Sequence, residues 1–264
     1  MAPAFALGIT IEKPDLPVSQ PHSMRVFSFL IALFPILMSH SQIVPSSYNV
    51  QRLKEPMPID ANWSKPQWQG IPEIDVKRVM GPVQSFMPVV RAKMMYDDQY
   101  VYVIFRVQDK FVRSVATSIN GRIWEDSCVE FFFAPDLSNP LAYFNLEINA
   151  GGFPLFHVKD PKRPEAPLPS DDDIKKIQIA STMPRTIESE IQQPTVWSLE
   201  YKIPVDMLKR YSGVSQPAPG VQWNGNFYKC GDKTSNPHWL TWSEVGNPTP
   251  NFHLPQFFGA LHFK

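Results

Sequence analysis

The chain has 264 residues with 25 basic and 25 acidic side chains, so no charge excess favours nucleic acid or an anionic membrane surface as partner. Its 28 prolines outnumber 12 glycines, and 18 Phe, 8 Tyr and 7 Trp sit among them, which suits an all-β domain with long loops better than a helical one. No G-x-S-x-G, H-E-x-x-H, C-x-x-C or glycine-rich phosphate loop is present, so the chemistries those motifs carry have no local signature here.

Residues 1–23 are proline-rich and lack a period, and read as an extension ahead of a start at Met24. Met24 and Arg25 precede an apolar run over 26–38, followed by Ser39-His40-Ser41. One positive charge, a short apolar run and a small-x-small triplet predict a signal peptide over 24–41, with cleavage near Gln42. That predicts a secreted or periplasmic protein. An uncleaved N-terminal anchor is the alternative, although the run is short of the roughly 20 residues a spanning helix needs. No later stretch is apolar enough to cross a membrane, and residues 42–264 read as one domain, expected to be monomeric.

Within that domain, 42–58 is an extended lead-in, Ile59-Asp60 a short strand and 71–88 a long loop. Runs 89–95 and 100–109 form a hairpin about Asp97-Asp98. A loop over 110–121 delivers the chain to Trp124. Strands are predicted over 127–133, 142–150, 153–158, 174–180, 185–191, 195–203, 223–231, 239–242 and 257–263. An exposed loop covers 159–173, and the only helix is expected over 204–211, with a proline in its first turn. About ten or eleven short strands and one short helix predict a single β-sandwich.

The most informative stretch is 123–135, I-W-E-D-S-C-V-E-F-F-F-A-P. Alternation sends Val129, Phe131 and Phe133 to one face and Cys128, Glu130 and Phe132 to the other. A carboxylate on so phenylalanine-rich a strand requires a partner, because buried charge is costly without one. An aromatic plate followed by a carboxylate suits a sugar: the plate stacks on the C–H face of a pyranose, and the carboxylate accepts hydroxyl hydrogen bonds. The competing reading is a core strand beside an acidic turn. If the polar faces of 127–133, 142–150 and 223–231 share a sheet, they collect Glu130, Asn145, Glu147, Asn226 and Tyr228 into one hydrogen-bonding surface.

Other chemistries stay open at this level. Glu130 and Glu147 could be the paired carboxylates of a glycoside hydrolase. Glu125 and Asp126 offer hard oxygen ligands for calcium, whereas Asp97-Asp98 reads as turn chemistry. The 10 Met and 6 His could ligate haem b, but His238, His253 and His262 show no metal spacing. In an oxidising compartment Cys128 and Cys230 could form a disulfide if their Cα atoms lie within about 7 Å; otherwise they are buried free thiols. Trp124, Trp242 and Phe252 lie at strand ends or in proline-rich segments and could form a platform, with Trp242 expected on a buried face.

Several motifs together resemble carbohydrate-binding module family 9, in the branch found in secreted bacterial proteins. They are Ile59-Asp60, Y-D-D-Q-Y-V-Y-V at 96–103, W-E-D-S-C-V-E-F-F at 124–132, T-W-S-E at 241–244 and F-H-L-P-Q-F-F-G at 252–259. The resemblance spans 59–264. It implies a β-sandwich that binds the ends of xylan- or cellulose-type chains without cleaving them, in carbohydrate catabolism. It also implies a terminal sugar clamped between two tryptophans, and structural calcium. By the resemblance Trp124 is the first clamp aromatic and Glu130 the hydroxyl acceptor. Phe252 stands where the second tryptophan is expected, and Asn145 near a position that carries arginine in the family. No cofactor is expected to be required for binding.

Overall fold

The computed structural model describes residues 46–264. The expected start at Met24 and the signal peptide over 24–41 lie outside the described residues. Thirteen strands follow in order: β1 (Ser47–Arg52), β2 (Ile74–Asp75), β3 (Arg78–Val79), β4 (Val89–Tyr96), β5 (Tyr100–Ser114), β6 (Cys128–Ala134), β7 (Tyr143–Asn149), β8 (Pro154–Lys159), β9 (Gln178–Ser181), β10 (Ile187–Pro204), β11 (Gln222–Cys230), β12 (Trp239–Thr241) and β13 (Gly259–Phe263). Two single-turn helices, α1 (Asp171–Ile174) and α2 (Val205–Leu208), complete it. Among the described residues no helix is long and apolar enough to cross a membrane.

Ten of these strands form one strongly curled path, β8-β7-β6-β11-β13-β1-β4-β5-β10-β9, while β12 pairs β11 and β3, and β2 pairs β4. β1 is the corner. Its residues 47–50 pair in parallel with β13, and Gln51 and Arg52 pair in parallel with β4. One short strand therefore links two antiparallel halves that face each other as a sandwich. Between them pack Val129, Phe131, Phe133 and Phe227 from one half and Val103, Phe105, Trp197 and Leu199 from the other. Phe131 stacks on Phe227 with ring centres 4.6 Å apart, and Phe105 meets Phe227 across the gap at 6.0 Å. Such aromatic pairs add about 0.5–1.5 kcal/mol beyond the area they bury.

Several boundaries differ from the sequence reading, each for a local reason. The strand expected over 174–180 begins at Gln178, because Ser170 caps a helical turn by accepting from Asp173 N. The three aspartates at 171–173 suit the positive end of that turn. A second helix is therefore present beside the expected one, which itself spans a single turn. Runs 185–191 and 195–203 are one strand, β10, with register shifts at Ile187/Ile191 and Gln192/Thr195. Its length carries β5 on to Ser114, through what reads as a loop. The lead-in over 42–58 contains β1, and the loop over 71–88 contains β2 and β3. Ile59-Asp60 makes no strand: Asp60 N and Ala61 N donate instead to the buried Glu200 carboxylate, and Ala61 takes a φ of 60°.

Candidate binding site

β6 lies between β7 and β11, and its register builds the site. Glu130 pairs with Glu147 on one side and Tyr228 on the other; Phe132 pairs with Asn145 and Asn226; Cys128 pairs with Asn149 and Cys230. Because successive side chains alternate across a strand, Val129, Phe131 and Phe133 enter the core while Cys128, Glu130 and Phe132 form the opposite face. Over that face opens a cavity of about 370 Å³, whose lining includes Trp124, Glu130, Asn145, Glu147, Trp239 and Phe252. Five of the six expected site residues thus converge.

The walls are aromatic and braced. Trp124 sits on a 3-10 turn, Ile123–Glu125, anchored by the fully buried Asp126 behind it. The Asp126 carboxylate accepts from Val115 N, Ala116 N and Asn149 Nδ2 at 2.9 Å each and from Arg113 Nε at 3.2 Å. Asp232 N donates to Trp124 O at 3.2 Å, and its side chain accepts from Trp239 Nε1 at 2.8 Å. Trp124 and Trp239 are therefore coupled through one loop. Phe252 lies flat on Tyr228, ring centres 4.1 Å apart at 14°, and Tyr228 OH donates to Phe252 O at 3.2 Å.

The floor is acidic and dry. Glu130 and Glu147 are only 2% and 5% exposed. Glu130 Oε1 accepts from Cys230 Sγ at 3.0 Å, and Glu147 Oε1 accepts from Asn145 Nδ2 at 3.1 Å. Burial, together with the nearby Cys230 and Glu147, holds the Glu130 carboxyl well above the usual carboxylate range. Burial pushes Glu147 up to about 7, against the pull of the Asn145 hydrogen bond. Glu147 Oε2 and Asn145 Oδ1 are buried with no hydrogen-bond partner. Orphaned buried polar atoms are rare in native folds and call for an explanation; here both belong to the floor of an open cavity.

One expectation changes. Asn226 lies on the predicted face but does not line the cavity. Its Nδ2 donates to Ser243 O, and its Oδ1 accepts from Ser243 N and Phe227 N. The segment after β12 covers it, so it fastens that segment. Glu125 and Asp126, the expected calcium ligands, are engaged within the chain: Glu125 pairs with Arg122 at 2.9 Å, and the oxygens of Asp126 accept from the four donors above. Cys128 and Cys230 are directly opposed, both buried and both free. Trp242 is buried, as expected, meeting Phe227 edge-on at 5.8 Å. No methionine lines the cavity, so His157 and His253 there lack the partner that a Met–His haem site needs.

Trp239 and Asp232 escape the sequence reading. Trp239 belongs to a three-residue strand, too short to display a period, and its register opposite Cys230 exists only in the fold. The one available signal was a tryptophan shortly after the Gly231-Asp232 turn.

The amino-acid sequence matches the family described as carbohydrate-binding family 9 over residues 66–263. No curated protein matches it. Among solved structures it is similar to a candidate carbohydrate-binding protein from Bacteroides uniformis, with 30% identity, a TM-score of 0.75, and coverage of 84% of this chain and 100% of that one. It also resembles in fold a family 9 module from Caldicellulosiruptor kristjanssonii in complex with cellotriose, at 14% identity and TM-score 0.57, covering 82% of this chain and 93% of that one. The same module in complex with glucose gives 14% identity and TM-score 0.57, with 83% and 96% covered.

Proposed function

Because the chain belongs to carbohydrate-binding family 9, we propose that the cavity over β6 binds the end of a cellulose- or xylan-type chain and does not cleave it. The observation that carries this reading is the pair of unpartnered acceptors, Glu147 Oε2 and Asn145 Oδ1, on the floor beneath aromatic walls. A pyranose offers the complement: apolar C–H faces for Trp124, Trp239 and Phe252, and hydroxyl hydrogens for the floor. A volume of about 370 Å³ lies within the roughly 300–1,000 Å³ common for small-ligand sites. The Caldicellulosiruptor module in complex with cellotriose and glucose supports the same ligand class. The apolar run after Met24-Arg25, followed by Ser39-His40-Ser41, supports a reading in which this binding occurs outside the cytoplasm, in service of polysaccharide breakdown by other proteins.

The acids favour hydrogen bonding over hydrolysis. A glycosidase flanks the scissile bond with two carboxyl groups in different protonation states. Glu130 and Glu147 instead sit side by side on neighbouring strands, and burial drives both toward the neutral acid. Calorimetry with glucose, xylose and their β-1,4 oligosaccharides tests the reading. The wild type is expected to bind, and Trp124→Ala to bind at least about tenfold more weakly, equivalent to about 1.4 kcal/mol. The reading fails if no glycan binds or if Trp124→Ala changes nothing. Release of shorter sugars that Glu130→Gln abolishes would establish a hydrolase instead.

A further inference from the structure

Beside the acids of the cavity floor lie two thiols that sugar binding does not use. Cys128 and Cys230 face each other across β6 and β11, and Glu130 follows Cys128 on the same face of the strand. Ligand atoms of Cys128, Cys230 and Glu130 all lie within 4.8 Å of one another, and Cys230 Sγ is 3.0 Å from Glu130 Oε1. A tetrahedral ion with bonds of about 2.3 Å to sulfur and 2.0 Å to oxygen needs S···S near ~3.8 Å and S···O near ~3.5 Å. The three ligand atoms are therefore close enough to share a single ion once Cys230 Sγ and Glu130 Oε1 move slightly apart.

A second, independent observation points the same way. Glu147, opposite Glu130 on β7, keeps one carboxylate oxygen buried and unpartnered. Glu130, Cys230 and Glu147 all line the cavity, so an ion has a route in from solvent. Cys128 closes the site from behind. Lys159 lines the same cavity, whereas the buried Lys229 follows the next pleat to the other side and is held by Asp109 and His238.

We propose that Cys128, Cys230 and Glu130 form a binding site for one thiophilic divalent cation of the zinc type, with Glu147 Oε2 or a cavity water in the fourth position. Two sulfur ligands select zinc-like ions over calcium or magnesium, which take oxygen shells. On binding, each thiol and the Glu130 carboxyl release a proton to solvent, and each sulfur and one Glu130 oxygen give a lone pair to the metal. No oxidation state changes. A Cys128–Cys230 disulfide, by contrast, needs an oxidant to accept two electrons, and it would consume the site.

The test uses the full chain, purified under reducing conditions, freed of metal with a chelator and titrated with Co(II), then Zn(II). One cobalt per chain is expected, with sulfur-to-cobalt charge-transfer absorption that an equivalent of zinc removes. Cys128→Ser and Cys230→Ser each lose that absorption while keeping the wild-type circular dichroism; Glu130→Gln weakens cobalt binding about 10–100-fold. The wild-type absorption needs no variant, so a misfolded mutant does not blunt the test. The proposal is overturned if the reduced wild type takes up no cobalt, if cobalt binds without the sulfur band, or if the double serine variant binds as well as the wild type. It is overturned equally if the isolated protein holds a disulfide and, once reduced, still binds no ion. The two readings share Glu130 and Glu147, but none of these readouts involves a sugar, so failure of the metal site is distinguished from failure of the carbohydrate reading.

Discussion

Replacing Asp126 by asparagine asks how the Trp124 wall is held. The buried carboxylate ties the end of β5, through Val115 N and Ala116 N, and the end of β7, through Asn149 Nδ2, to the turn that carries the tryptophan. Asparagine keeps the shape but has one acceptor oxygen. Its carbonyl can replace Oδ2, which serves three of the donors, and its amide then faces Arg113 Nε, donor to donor. Three charge-assisted bonds become ordinary ones, each losing roughly 0.5–1 kcal/mol, and the arginine pair is lost for about 1 kcal/mol more. The expected cost is about 2.5–4 kcal/mol. Urea unfolding at neutral pH measures it as a lower midpoint with an unchanged slope; at about 2 kcal/mol per molar urea the shift is roughly 1–2 M. Oligosaccharide binding should weaken as well, because Trp124 loses its brace. A loss under about 0.5 kcal/mol would refute the clamp. So would a calcium-dependent gain in wild-type stability that disappears in Asp126→Asn, since it would show the carboxylate holding an ion.

Asn226→Ala should cost about 1–3 kcal/mol by leaving Ser243 N and Phe227 N without their acceptor; calorimetry on the folded protein should show unchanged sugar affinity. Trp239→Ala should weaken oligosaccharide binding about as much as Trp124→Ala, at least tenfold, and equal affinity to wild type would remove it from the site. Glu200→Ala deprives Lys65 Nζ, Trp68 Nε1, Asp60 N and Ala61 N of one buried carboxylate, and chemical denaturation should register a loss of about 3–5 kcal/mol. Burial beside Lys229 depresses the His238 pKa to about 3, from an ordinary 6.5. The unfolded chain therefore takes up a proton that the native state refuses, and stability should fall as pH drops from 6.5 toward 3. Unfolding midpoints across that range should decline less steeply in His238→Gln.

Much of this protein is legible in its residues. The pleat imposes a period of two, so the alternation in 128–133 separates the core triad Val129, Phe131 and Phe133 from the site-side Glu130 without knowledge of any other strand. The density of β-branched and aromatic residues in 100–109 likewise marks a strand, and the motif around Trp124 marks the family. Local pattern assigns a side chain to a face but does not say what lies over that face. Glu130 and Asn226 share one polar face of the sheet, yet one meets an open cavity and the other lies beneath the segment after β12. That difference arises from chain remote in sequence, as do the pairing of Trp239 with Cys230, the opposition of Cys128 and Cys230, and the four donors that converge on Asp126. The residues determined the sheet, its faces and the family. Only the tertiary structure decided which polar groups were covered, which were satisfied and which were left buried on the cavity floor without partners, because hydrogen-bond satisfaction depends on contacts between segments that no local pattern records.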